Sequence, residues 1–450
     1  MHDSTPGTSE QRFNQYLDRL AAAVGHADRA KPLRAYCTGL LLPGERKSVE
    51  PMAARIASAK VGRQYQSMHH FVAAAPWKDE AVLAVAREMG LEALARQGGV
   101  CGWVVDDTGW PKQGKHSVGV TRQYCEPLGK KKNCQVAVTL TLVNASASVP
   151  IAFRLYLPEV WAKDEERRAS VGVPAGVRFA TKPKLSLQQI EAALAAGAPK
   201  APVLADAGFG NNTEFRERLT QLGLTYAVGI NSTTTVWRVG TVPLAFKPRS
   251  DSVRQRARQR EVRQPLAVRA LALGLSPRAY QKVSWREGAA NTLLRSRFAA
   301  VRVVTANGGW KRAQQRAPEW LLIEWPPDET EPTRYSLSTL PRRASLKTLV
   351  RALKLRWRSQ HDYQELKQEL GLNQYEGRGW RGLHHHATLT MAAYAFLVAE
   401  RSLASLAAGA HVPPPVRAPA LPAGFRPRGA PGNGARSGCV FSEIARQRVE

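Results

Sequence analysis

Apolar residues recur at helical spacing over roughly the first hundred positions and at strand spacing after them. Phe13, Tyr16, Leu17 and Leu20 share one helical face, and residues 81–94 form a second amphipathic run. From Val100 short apolar runs follow one another: 102–105, 135–143, 149–156 and 203–205, with the NASAS turn between the second and third. Two of these runs lead straight into aspartates, Asp106-Asp107 and Asp206, and a helical run, 214–222, follows the second. Strands that end in an acid with a helix close behind predict a mixed α/β domain. Strand-like runs return at 226–230, 234–239, 299–304 and 320–325, around an Arg-rich stretch that includes Arg254, Arg256, Arg258, Arg260 and Arg263. Helix returns over 344–370 and again over 387–406, and the tail is rich in Pro, Gly and Arg.

These patterns divide the chain into five parts. Residues 1–96 read as a small helical domain and 97–225 as the first part of an α/β domain. Residues 226–340 read as a β-rich insertion, 341–408 as the helices that complete the α/β domain, and 409–450 as a disordered basic tail. Basic residues between the first helical runs (Arg46, Lys47, Lys60, Arg63) make the first part a candidate grip on DNA; a plain packing domain fits that segment equally well.

Composition adds a partner class. Among 450 residues, 65 Lys plus Arg against 36 Asp plus Glu give a net charge of +29, which favours polyanions through phosphate contacts and counterion release. With 44% hydrophobic residues the chain can still bury a core. The five cysteines (Cys37, Cys101, Cys125, Cys134, Cys439) include no C-x-x-C pair, so they read as reduced thiols of a cytoplasmic, nucleoid-associated protein rather than as a zinc site. No apolar run is long enough to span a bilayer.

Phosphodiester chemistry at divalent cations needs a few carboxylates that are distant in sequence and fixed in space. Asp107 and Asp206 are the candidates, each next to a short apolar strand. Because strand residues alternate faces, only one of Asp106 and Asp107 should enter a cleft. Taken singly, each candidate is as well explained as a turn aspartate.

The blocks VVDDTGWPKQGKHSVGVTRQY, VLADAGFG and RWRSQHDYQELKQELGLNQYEGRGWRGLHHHATLTMAAYAFL together resemble bacterial insertion-sequence transposases of the DDE class. The nearest branch is the insertion-sequence seven-hundred-and-one group of the insertion-sequence-four superfamily. HHFVAAAPW, LYLPEVW and SWREG extend the likeness over roughly residues 10–405. The resemblance implies a ribonuclease-H-like catalytic domain interrupted by a β-rich insertion. It implies two Mg²⁺ or Mn²⁺ ions held by two Asp and one Glu, double-stranded DNA (element ends and target) as substrate, and a homodimer on DNA. It places the first Asp at Asp107, directly before Thr108, and the second at Asp206.

The family's third motif, Y-x-x-R-x-x-x-E-x-x-x-x-x-x-K, anchors on Arg356 and Lys367 and puts Leu353 in the Tyr slot and Gln360 in the Glu slot. The helical spacing is kept, but the acid is replaced by its amide, which brings a carbonyl oxygen and no charge. Nearby acids do not substitute: Glu365, Asp362 and Glu369 lie about 140°, 160° and 180° around the helix from Gln360. The expectation is a transposase weakened in catalysis, with a non-catalytic DNA-binding derivative as the alternative and a stand-alone nuclease as a third reading. Lys112, Lys115 and His116 after the first Asp, and Arg356, Lys367 and Arg381, are candidate phosphate contacts. His384-His385-His386 resembles a metal cluster, but neighbours on a helix diverge by about 100°, which predicts packing or DNA-backbone contact instead. Trp237, Trp285 and Trp310 lie in the expected insertion, where a Trp can stack on an unpaired base or pack in a sheet.

Overall fold

A computed structural model describes residues 7–240, 264–287, 292–307 and 316–407. The Arg-rich stretch, Trp310 and the C-terminal tail lie outside the described residues.

Five helices come first: α1 (Ser9–Ala23), α2 (Ala27–Leu41), α3 (Val49–Ile56), α4 (Val61–Ala73) and α5 (Asp79–Ala95). Thr8 starts α1 with a capping box, its hydroxyl and the Gln11 side chain satisfying each other's backbone amides. The predicted face Phe13, Tyr16, Leu17 and Leu20 is buried. Its partner is α14 (Trp380–Ala407): the Tyr16 hydroxyl donates to the Ala392 carbonyl at 3.0 Å, and the Phe13 and Phe396 rings lie 4.9 Å apart. The first helices therefore share one continuous core with α14 and the sheet rather than enclosing their own. Although α14 is 28 residues long, no helix among the described residues is long and apolar enough to cross a membrane.

The sheet has twelve strands: β1 (Gly102–Pro111), β2 (Thr121–Cys125), β3 (Lys130–Val143), β4 (Ser148–Leu155), β5 (Val203–Ala205), β6 (Tyr226–Ile230), β7 (Thr235–Arg238), β8 (Leu266–Ala267), β9 (Gln281–Glu287), β10 (Thr292–Thr305), β11 (Glu319–Trp325) and β12 (Arg334–Ser338). Its order is β2-β3-β1-β5-β6-β12-β11-β10-β7-β8, with β4 also on β3 and β9 also on β10. β1, β5 and β6 run parallel, and β1, β3 and β4 form an antiparallel meander. Pro150 is tolerated because β4 pairs on one side alone. β6, expected as the start of the insertion, pairs in parallel with β5, so the continuous sheet extends through it into β12.

Helices α6 (Glu159–Ala162), α7 (Glu165–Ser170) and α8 (Lys182–Ala195) follow β4, and α9 (Ala207–Gly210) and α10 (Thr213–Gln221) follow β5. α9 lies flush on β6, because a Cβ at Gly210 would collide with the Gly229 carbonyl. α11 (Val268–Leu273) follows β8. The helix expected over 344–370 is two: α12 (Leu346–Lys354) and α13 (Trp357–Gln368). The ladder tightens between them, where Leu355 N–H is shared by the Arg351 and Ala352 carbonyls.

Candidate functional site: carboxylates at the strand ends

The parallel register of β1 and β5 pairs Trp103 with Val203 and Val104 with Leu204. The same offset two residues on puts Asp106 beside Asp206. Val104 and Leu204 form an apolar cluster with Leu353 and Leu355, so this face of the sheet looks toward the α12–α13 junction. Asp106 follows Val104 by two residues and shares its face, while Asp107 turns toward α8, where its carboxylate pairs with the Lys182 ammonium. The expectation had singled out Asp107 for the cleft. In the structure Asp106 is the one aligned with Asp206, although a carboxylate oxygen of each Asp remains close to the other.

Asp206 serves two ends at once. One oxygen caps α9, accepting Gly208 N–H at 2.9 Å and Phe209 N–H at 3.4 Å, which is the plain turn role. The other lies 4.0 Å from the Arg356 guanidinium, which also reaches Asp106 at 3.4 Å. Arg356, at the start of α13, thus bridges the two strand-end acids. Along the same helix face come Gln360, which is exposed, then Tyr363, which is buried, and Lys367, whose ammonium donates to the Gly109 carbonyl at 2.9 Å. Asp362 and Glu365 face the other way, accepting from Tyr394 and Arg401 of α14. Neither can stand in for an acid at 360.

One acid escaped the sequence reading. Glu126 opens a single 3₁₀ turn after β2, and its carboxylate, with those of Asp106 and Asp107, offers oxygens all within 4.8 Å of one another. It lies in no recognisable motif, and only the β2–β3–β1 pairing brings it to the strand end.

The electrostatics are strained in one direction. Burial raises the Asp106 carboxyl to about 7; Arg356 opposes this, and Asp206, Glu126 and Asp107 add to it. Burial and Asp107 likewise raise Glu126. Carboxylates that crowd and still bury part of their charge are what a hard divalent cation relieves, and oxygen is its preferred ligand. The residues present therefore fit such an ion: Asp106, Asp107 and Glu126 would hold it, with Asp206 alongside.

Lys112 donates to the Tyr375 carbonyl at 2.6 Å, and burial lowers its ammonium. Lys115 and His116 are exposed, and Arg381 is exposed while donating to the Ala74 carbonyl at 2.8 Å. The three histidines are buried and diverge. His384 meets the Trp380 carbonyl and Leu155 N–H, His385 the Val72 and Trp77 carbonyls, and His386 the Tyr36 hydroxyl and the Gly371 carbonyl. Burial lowers all three, His384 to about 3 and His386 to about 4, so they pack as neutral rings, and the one N–H of His385 serves one of its two carbonyls at a time. Trp237 is buried, and Trp285 packs edge-on against Phe298.

Comparison with known proteins agrees with this geometry. Residues 19–292, more than half of the chain, match the family model described as DDE superfamily endonuclease. A probable transposase for insertion sequence element IS701 from Microchaete diplosiphon is 33% identical over 168 residues, which is 37% of this chain and 41% of that relative. The chain thus spans about two fifths of the length of the relative it matches. With its mixed sheet as a ribonuclease-H-like core, the chain belongs to the DDE superfamily of endonucleases.

Proposed function

We propose that the protein is a DNA transposase that binds the terminal inverted repeats of its own element, cuts there and joins the freed 3′-OH to target DNA. The observation that supports this most directly is the Arg356 guanidinium between Asp106 and Asp206, one carboxylate on each of two parallel neighbours in the sheet. Mg²⁺ or Mn²⁺, two ions in the working site, would activate the attacking oxygen and stabilise the leaving one. The chain's own part is to fix the acids on strand ends, where the scaffold holds them rigidly. Asp106 and Asp206 supply charge from one face of the sheet, and Asp107 adds a carboxylate after leaving Lys182. Arg356 is placed to meet a scissile phosphate once a cation takes over its carboxylate partners. Lys112 and Lys367 each give one of three ammonium protons to a carbonyl and keep two for phosphate oxygens. Lys115 and Arg381 are exposed and available to the backbone, and the net charge of +29 draws double-stranded DNA non-specifically. Two such protomers would pair two ends, inside the cell.

Gln360 carries the second reading, a derivative that still occupies inverted repeats but cuts slowly or not at all. It is exposed on the helix face between Arg356 and Lys367 and brings no charge. The test is Mg²⁺-dependent nicking and strand transfer on duplexes bearing the inverted repeats that flank the gene, with the wild type, Asp206→Asn and Gln360→Glu side by side. Activity lost in Asp206→Asn and raised in Gln360→Glu supports a transposase impaired at one position. End-specific binding with no activity in any version supports the non-catalytic derivative. Cleavage without end-specific binding would overturn both in favour of a general nuclease.

A further inference from the structure

With an amide at 360, helix α13 contributes no acid on its Arg356–Lys367 face. The turn after β2 does contribute one. Glu126 follows β2 directly, and its position is fixed from both sides. Cys125 before it is wholly buried against Cys134 and Val136, and Gly129 after it turns the chain into β3 with φ of 61°. Glu126 is itself exposed, and an exposed glutamate has room to swing away from two aspartates. Glu126 instead offers an oxygen within 4.8 Å of oxygens on both Asp106 and Asp107. The charges that act on it are those of the site: Asp107 and Asp206 among the acids, Arg356 and Lys367 among the bases.

We propose that Glu126 is a third carboxylate ligand for a divalent cation shared with Asp106 and Asp107, so that the chain holds the ion without an acid at position 360. This rests on the reading of the strand-end acids as a cation site. An ion roughly 2.1 Å from each oxygen needs them within about 4.2 Å of one another, a gap that small side-chain rotations close. Metal affinity and catalytic rate then come apart: Gln360 slows the chemistry while the ion stays bound.

The test uses the full chain without DNA and Mn²⁺ alone as the probe, with calorimetric titration of the wild type, Glu126→Gln, Asp106→Asn and Gln360→Glu, and melting of each in EDTA. Glu126→Gln should weaken Mn²⁺ binding at least about tenfold and leave the EDTA melting temperature unchanged or higher, because a like-charge neighbour is gone. Wild-type affinity in Glu126→Gln together with weakened binding in Asp106→Asn overturns the role of Glu126 and leaves the acid site standing. A lowered melting temperature with unchanged affinity makes Glu126 a structural turn residue and also overturns it. Wild-type affinity in both Glu126→Gln and Asp106→Asn removes the cation site itself, and the inference with it.

Discussion

Two clusters of ionisable side chains invite comparison as metal sites, the strand-end carboxylates and His384-His385-His386, and helical spacing already speaks against the second. The structure separates them by whether their polar atoms are already satisfied. All six histidine ring nitrogens lie within hydrogen-bond distance of a protein group; His385, neutral and with one N–H, shares it between the Val72 and Trp77 carbonyls. The carboxylates are partly buried too, yet they crowd one another, and Asp106 is raised to about 7 by that environment. A buried polar group with its partners in place holds the fold together, whereas crowded like charges await something from outside.

Gln360→Glu should have the largest effect on rate. Adding the missing electrostatic contributor is worth on the order of 10²- to 10³-fold in Mg²⁺-dependent strand cleavage, read on a labelled duplex carrying the element's ends. An equal rate in both versions would place the catalytic third acid elsewhere. Mn²⁺ affinity in the same pair should change far less than the rate.

His385→Ala tests the satisfied cluster. Its ring stacks on Trp77 at 3.5 Å between centroids and its one N–H serves the Val72 or the Trp77 carbonyl, so truncation leaves a cavity and a carbonyl without its donor. The expected loss is about 2–4 kcal/mol in unfolding free energy, with Mn²⁺ affinity unchanged in the protein that remains folded. Weakened Mn²⁺ binding without lost stability would reverse the comparison.

Asp106→Asn tests the strained cluster through pH. The folded carboxyl is raised from 3.8 to about 7, so the native state holds its proton more tightly than the unfolded chain does. Stability from this group is therefore present at low pH and is lost as pH rises from about 4 through about 7. In EDTA the variant should gain on the wild type over that window and keep an advantage on the order of 2–4 kcal/mol above it. Chemical denaturation of both proteins at pH 4.5 and 8 reads the difference; a gap between variant and wild type that is the same at both pH values would deny that Asp106 is strained.

How much of this was legible in the sequence differs between the two clusters, for physical reasons. Helical geometry alone dispersed the three histidines and turned Asp362 and Glu365 away from the site, because both conclusions need only local rotation along one element. Asp206 was legible because the strand before it and the turn after it are local as well. The choice between Asp106 and Asp107 was not. Alternation says that they face opposite sides, but which side is the cleft depends on where α13, some 250 residues later, packs. Glu126 was hidden for the same reason, since its neighbours are set by strand pairing rather than by spacing. That Lys367 meets the Gly109 carbonyl, and that Lys112 turns to the Tyr375 carbonyl, was not legible, since both depend on how distant segments pack. The place of β6 also depended on pairing: its apolar run is visible, its parallel register with β5 is not.

The smallest expected effect bears on that hidden choice. Lys182 pairs with Asp107 and, by proximity, competes with any cation that Asp107 would bind. If Asp107 is a ligand, this ion pair has to open on metal binding, and Lys182→Met removes both the competitor and a repulsive charge. A unit charge near the surface at about 4 Å is worth roughly 1–4 kcal/mol before screening, and both partners here are partly exposed. The expected gain is at the low end, a several-fold tighter Mn²⁺ affinity by calorimetry at low salt, fading as salt is raised. Unchanged affinity in Lys182→Met, with Asp106→Asn still weakened, would mean that Asp107 stays with its lysine. The cation would then rest on Asp106, Glu126 and Asp206, all reached from the Arg356 side of the sheet.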